Sequence, residues 1–292
     1  MTRKKGKQLN WSVERRYEFI EFRLFWQGRI NRGDLVDAFG VSTQQASIDL
    51  NAYIDQAKRN LVYDKRLRTY LRGKHFKPKY MKPDAEEYFA QIRAVDQGLV
   101  SAEQSWISYF PSFGAAPTPV RGVAAETLRD VLAAIHERSA LQITYQSMSR
   151  PEPSARWVEP HAIAFDGFRW HARAFCKNDA IFKDFLLSRI VAVGDTQPAT
   201  ADPNSDEAWQ TEVVLEIGPH PELSDTQKRA IEMDYGMEDG RAQIPVRRAL
   251  LFYALKRLGL DTGPTVRPPN EQQIVLTNAD DVFGALGRPV PW

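Results

Sequence analysis

Hydrophobic periodicity changes character part-way along this chain, and that change limits the folds open to it. Apolar residues in the first part recur near every 3.6 positions, as amphipathic helices require. From Ala140 the period becomes two, as half-buried strands require. Helices gathered before strands describe a multidomain α+β chain rather than alternating α/β layers. The 292 residues are enough for two or three domains of about 100–150 residues each.

The first eighty residues carry the most specific local pattern. Residues 11–26 read as an amphipathic helix through Val13, Tyr17, Ile20, Leu24 and Phe25, and Gln27-Gly28 ends it. A short helix fits 31–39, with Asn31 as its cap and Gly40 where a left-handed residue closes it. Ser42 then caps a third helix, and Gln45 three positions later completes the signature of a capping box. Ala46, Leu50 and Ile54 share its buried face. Helix, glycine-containing turn and helix make a helix-turn-helix, whose second helix presents its N-terminal side chains to base edges in the major groove. Those side chains are Ser42, Thr43, Gln44, Gln45, Ser47 and Asn51. Residues 61–72 follow as a hairpin, from which Lys65, Arg66, Arg68 and Arg72 project as a basic wing. The expected unit is a winged helix-turn-helix over 1–82.

Charge supports this reading once it is divided along the chain. The net value is only +2, but residues 1–82 hold 19 Lys and Arg against 8 Asp and Glu. The remainder holds 20 against 29. A basic head on an acidic body suits a polyanion-binding module fused to something of another kind. The stretch Phe39-Gly40-Val41-Ser42 to Ser47-Ile48-Asp49-Leu50 resembles the DNA-reading helix of DeoR-like regulators, which carry basic residues near the positions of Ser47 and Ile48. This chain has none from Thr43 to Ala57. Uncharged side chains are therefore expected to read bases, and the basic N-terminal arm and the wing to supply phosphate contacts.

Residues 73–83 read as a basic, proline-punctuated linker or arm, and 83–138 as a helical linker with helices near 84–99 and 124–138. From there the period of two takes over. Leu141, Ile143 and Tyr145 alternate with Gln142, Thr144 and Gln146. Further strands fit 156–163, 168–175 and 185–190, with a turn at Asp166-Gly167. One helix followed by four or five short strands suggests a small barrel of SH3-like or Sm-like size over 139–200. On 168–175, Phe168, Trp170, Ala172 and Ala174 share one face and Arg169, His171 and Arg173 the other. Those cations, with hydroxyls and a tyrosine nearby, suit a phosphate-bearing ligand. The alternative is a half-buried strand with its polar face in solvent. Residues 196–206 read as a linker, and 207–292 as a strand–helix–helix–strand module with strands at 213–217 and 272–276 and helices at 224–235 and 246–258. His220, between two prolines, reads as structural.

The segments Pro160, Gly167-Phe168-Arg169-Trp170-His171-Ala172-Arg173-Ala174 and Phe185, Ser188-Arg189-Ile190 resemble the WYL domain of bacterial transcriptional regulators. Trp170-His171-Ala172 stands where that family has Trp-Tyr-Leu, and Leu186 where many members have arginine. Within it the chain is most similar to the BrxR- and CapW-type repressors of phage-defence (BREX and CBASS) islands. The resemblance implies a winged helix-turn-helix, a WYL sensor and a C-terminal dimerisation domain. It also implies a homodimer on a double-stranded, inverted-repeat operator, released by a nucleotide or nucleic-acid signal. Tyr145, Ser147, Ser149, His161, Arg169, His171, Arg173 and Arg189 would form the sensor pocket. An activator, or a DNA-binding protein without a ligand, would share this domain order.

Enzyme signatures are missing from the sequence, although a Ser/His/Asp triad can be hidden in it, and a nuclease or nucleotide hydrolase is the lesser alternative. Gly28 and Gly33 have the spacing of a phosphate-binding loop, but Asp34 takes the place of the required lysine. There is no Gly-x-Ser-x-Gly elbow and no dinucleotide fingerprint. Cys176 is the only cysteine, which leaves no internal disulfide and no paired-cysteine zinc site. The five histidines follow no metal-ligand spacing, so neither a metal nor another cofactor is expected. No apolar run approaches the roughly 20 residues of a membrane span, and a cytoplasmic location follows as the expectation.

Overall fold

The computed structural model describes residues 10–116, 119 and 121–291. The chain divides into two compact units, one running to Pro117 and the other beginning at Thr118. The expected N-terminal arm, residues 1–7, lies outside the described residues.

The first unit opens with α1 (Trp11–Gln27), capped by the Asn10 side chain and closed by Gly28 in the left-handed conformation. A two-residue strand β1 (Arg29–Ile30) leads to α2 (Arg32–Phe39), where Asn31 and Asp34 form a capping box. Gly40 turns the chain into α3 (Thr43–Gln56). The hairpin β2 (Leu61–Asp64) and β3 (Thr69–Arg72) completes a sheet of order β1-β3-β2. Tyr17, Ile20, Leu24, Leu35, Leu50 and Tyr53 form the core shared by the helices. A further helix, α4 (Ala85–Asp96), starts at the Asp84 cap. Its Ile92 packs with Phe22 of α1 and with Ile107 in a smaller cluster.

Helix α1 is therefore covered on more than one side, and the run from Arg16 to Leu24 is buried apart from Glu18. Charges caught in that run must find partners, because a buried unpaired ion is costly. Arg16 meets Asp49 of α3 at 2.6 Å, and Arg23 meets Asp34 of α2 at 2.5 Å. Glu21 accepts from the Tyr53 hydroxyl at 2.9 Å and from the backbone N–H groups of Lys79, Tyr80 and Met81 at 2.7–3.0 Å. The stretch 73–83, expected as a linker or arm, is thus folded back onto α1, with Phe76 and Tyr80 against the core.

The second unit begins with α5 (Ala125–Glu137), whose Val131 and Ala134 cover an antiparallel sheet. Its strands are β4 (Ser139–Tyr145), β5 (Ser154–Phe165), β6 (Trp170–Cys176), β7 (Ile181–Leu186) and β8 (Ile190–Pro198). The order is β7-β6-β5-β4-β8, with β7 and β8 at the edges. The expected strand over 185–190 is instead the end of β7, a 3-10 turn at Leu187–Arg189 and the start of β8. Phe168 and Arg169 lie in the turn before β6, where the Asp166 carboxylate accepts from both of their N–H groups. Gly167 sits there at φ +98, and a Cβ would come within 2.8 Å of the Arg257 side chain. Cys176 is buried in the sheet core.

After a short α6 (Glu207–Gln210), the chain builds a sheet of order β10-β9-β11 from β9 (Glu212–Pro219), β10 (Ala242–Arg247) and β11 (Ile274–Leu276). Helices α7 (Asp225–Asp234), α8 (Leu251–Leu258) and α9 (Ala279–Ala285) contribute Ile231, Leu251, Leu255, Val282 and Phe283 to its core. The expected helix from Val246 therefore begins later. Residues 242–247 pair with β9 as an edge strand, a position that tolerates Pro245 because its missing N–H faces away from the partner. Helix α9 adds an element beyond the expected strand–helix–helix–strand order. His220 is buried and structural, joined to the Pro264 carbonyl at 2.9 Å while its other ring nitrogen accepts from Glu222 N–H.

Replacing Glu21 tests the packing of α1. Glu21→Ala leaves the N–H groups of 79–81 without an acceptor and should cost about 3 kcal/mol. Thermal unfolding of the full chain, followed by tryptophan fluorescence, should show a lowered transition. An unshifted transition would contradict the role given to this carboxylate.

Candidate functional site

From Thr43 to Asn51 the exposed face of α3 is made of uncharged side chains, and Asp55 follows on the same side. Thr43, Gln44 and Asn51 stand in solvent, and Ile48 is exposed among them. Ser42 caps the helix by accepting from Gln45 N–H at 3.1 Å. The other half of the expected capping box does not form. The Gln45 amide instead donates to Asp49 at 3.0 Å, beside the Arg16 pair. Ser42 and Gln45 thus hold the helix in place. The Ser47 hydroxyl donates to the Thr43 carbonyl at 2.8 Å and receives Arg32 at 3.4 Å.

The wing is shaped by a single carboxylate. Asp64 accepts from Arg66 and Leu67 N–H at 2.8 and 2.9 Å, and Arg68 follows in the left-handed conformation at φ +51. Lys65, Arg66 and Arg68 are exposed at the tip. Arg72 lies at the opposite end of β3 and donates to the Phe25 carbonyl at 3.1 Å, near the C-terminus of α1. A groove of about 270 Å³ runs between α3 and the wing, lined by Arg32, Ser47, Asn51, Tyr63, Arg68 and Tyr70. Sequence reasoning passed over Arg32, Tyr63 and Tyr70. Arg32 follows the Asn31 cap, and the two tyrosines oppose each other across β2 and β3 with ring centroids 4.9 Å apart.

A second polar cluster lies on β6, and here the structure divides the residues expected in a sensor pocket. His171 and Arg173 lie opposite Ala172 and Ala174, which face the sheet core, but they are neither open nor solvated. Arg173 grips Asp206 through two bonds of 2.7 and 2.9 Å and reaches Asp184 at 3.2 Å. His161 meets the same Asp206 at 3.0 Å. His171 and Arg169 both meet Asp166, at 3.0 and 2.7 Å. Tyr253 of α8 donates to Asp184 at 3.1 Å and lies against the His171 ring. Tyr145 belongs to the sheet core, packed on Phe185, its hydroxyl accepting from Leu186 N–H at 3.2 Å. Ser147 and Ser149 bond each other in the β4–β5 turn, and Arg189 sits in the turn before β8. Beside His161 opens a pocket of about 550 Å³, lined by Arg138, Glu159, Phe182 and Thr200 among others.

Asp166, Asp184 and Asp206, none of them expected in the pocket, thus pair with Arg169, His171, Arg173 and His161. Burial alone would raise the Asp166 carboxyl, but hydrogen bonds from His171, Arg169 and backbone N–H groups bring it down to about 2. The Asp206 carboxyl is depressed likewise, with Arg173 outweighing burial. Burial lowers the pKa of His161, favouring a neutral ring that donates to Asp206. Asp206 is a buried residue in a largely exposed stretch that composition marks as linker. Among the described residues no group of three or more His, Cys, Asp or Glu side chains is placed to hold a metal ion, and no helix is long and apolar enough to cross a membrane.

Comparison with known proteins follows the same division. The winged helix-turn-helix domain of BrxR transcriptional regulators matches residues 12–94, the WYL domain 126–194 and the BrxR C-terminal dimerisation domain 212–282. The DNA-binding transcriptional repressor CapW of Stenotrophomonas maltophilia is 40% identical over 94% of this chain and 92% of its own. CapW of Escherichia coli (strain KTE188) is 38% identical over 97% and 95%, and that of Pseudomonas aeruginosa 37% over 95% and 93%. The chain belongs to the CapW/BrxR family of transcriptional regulators. These relatives are DNA-binding transcriptional repressors.

Depressed carboxyls give the second unit an acid limit. Asp166 titrates near 2 when folded against about 3.9 when unfolded, so its contribution is complete above about pH 4 and is lost as pH falls to 2. Asp206 acts with the same sign. Acid unfolding followed by circular dichroism should steepen in that window, and Asp166→Asn should flatten it. An unchanged acid profile in the variant would contradict the assignment.

Proposed function

We propose that this protein is a homodimeric repressor of a phage-defence operon, binding an inverted repeat through α3 and the wing. The observation that carries the reading is the combination of the uncharged side chains Thr43, Gln44 and Asn51 exposed on α3 with exposed Arg32, Lys65, Arg66 and Arg68 beside them. Amide side chains such as Gln44 and Asn51 match the adenine edge in the major groove, while the arginines match phosphate. The C-terminal domain supplies dimerisation, and two copies of α3 would meet major grooves about 34 Å apart or a multiple of that.

The effector in this proposal is an anion, a nucleotide or nucleic-acid signal presenting phosphate to the β6 face. Its route is the pocket beside His161. Because Arg173 and His161 already hold Asp206, a phosphate has to displace that carboxylate and free the 199–211 segment. Binding shifts the protein away from DNA only if the displaced arrangement is the one the effector prefers.

A gel-shift titration against DNA upstream of the protein's own gene, with scrambled competitor, tests the reading. Competitor-resistant binding to an inverted repeat is expected; weak, sequence-blind binding would contradict it. Gln44→Ala should lower specific affinity by about 1–3 kcal/mol. Arg68→Glu should weaken binding to every sequence and flatten the salt dependence. An unaltered salt slope would remove the wing from the phosphate contacts.

A further inference from the structure

Ile48 is 52% exposed, an apolar side chain in the middle of the polar face of α3. It lies four residues after Gln44 and three before Asn51, so the three share one side of the helix. Folding gives no reason for it. The core of this unit takes Ala46, Leu50 and, in part, Ile54 from the same helix, but not Ile48. A β-branched residue on an exposed helical surface is also a poorer helix former than alanine or lysine. Exposed Asp55, further along the same side, would oppose phosphate. Contact is thereby confined to the part of the helix before Asp55, where Gln44, Ile48 and Asn51 lie.

In the major groove an apolar side chain has one complementary group, the 5-methyl of thymine. The flanking amides point to the same base pair, since adenine offers the N6 and N7 pattern that Gln and Asn match, and its partner carries the methyl. We propose that Ile48 is a specificity-determining residue that packs on a thymine methyl in each operator half-site, between the adenine contacts of Gln44 and Asn51. This rests on the reading of α3 as the recognition helix.

The test uses the full chain and a binding site selected by it from random-sequence DNA. Each thymine is replaced in turn by deoxyuridine, which removes the methyl and leaves base pairing intact. At one thymine per half-site, wild-type affinity should fall about fourfold, the worth of one buried methyl. Ile48→Ala should bind the thymine and deoxyuridine sites equally, with an unchanged thermal transition because its side chain joins no core cluster. If Ile48→Ala still discriminates between the two, or no deoxyuridine weakens the wild type, the proposal is overturned. Gln44→Ala and Asn51→Ala separate the two failures. Lowered affinity in these variants would keep α3 as the reading helix and reject only the methyl contact; unchanged affinity, or no sequence selected at all, would reject both.

Discussion

Pairing of buried charge on α1 sets the position of α3. Arg16 is tied to Asp49 on the inner side of α3, and Asp49 in turn takes the Gln45 amide. Glu21 takes the Tyr53 hydroxyl from the same helix and gathers the returning chain at 79–81. Each of these contacts has a carboxylate as acceptor, so it is stronger than a neutral hydrogen bond and sensitive to geometry. Rotating α3 about its axis would leave Asp49 or Arg16 alone in the core. Thr43, Gln44, Ile48 and Asn51 face outward because the inward residues have no other low-energy arrangement.

The same logic operates on β6 with a different consequence. Arg173 is fixed by two acidic residues, and one of them, Asp206, belongs to the segment joining the sheet to the C-terminal domain. The other, Asp184, is also held by Tyr253 of that domain. Two contacts to one guanidinium cluster thus bind sheet, connecting segment and C-terminal domain together. An anion competing for Arg173 acts on all three at once. That economy makes the face suitable for sensing, as proposed, and it explains why the polar side of β6 is dry without being apolar.

Much of the architecture was legible in local chemistry. Asn31, Gly40 and Ser42 mark helix boundaries through capping, which depends on neighbours in sequence. The alternation along 168–175 placed His171 and Arg173 opposite the core residues Ala172 and Ala174. What closes on them could not be read in this way, because Asp184 is brought opposite Arg173 by the β6–β7 register and Asp206 arrives from beyond the sheet. Asp206 sits among Pro, Ala and Thr, where composition signals only a linker. Residues 246–258 satisfy a helical period, and β10 is revealed only by its pairing with β9. Gln45 fits a capping box by spacing, but a buried carboxylate one turn away competes successfully for its amide.

Whether α3 is the element that enters the major groove is the claim on which the account turns. Methylation-protection footprinting of the full protein on a selected operator addresses it most directly, since guanine N7 reports the major groove and adenine N3 the minor. Two clusters of N7 protection are expected on one face of the duplex, about 10 base pairs apart or a multiple of that. Protection confined to adenine N3, or spread without phase along the DNA, would contradict it.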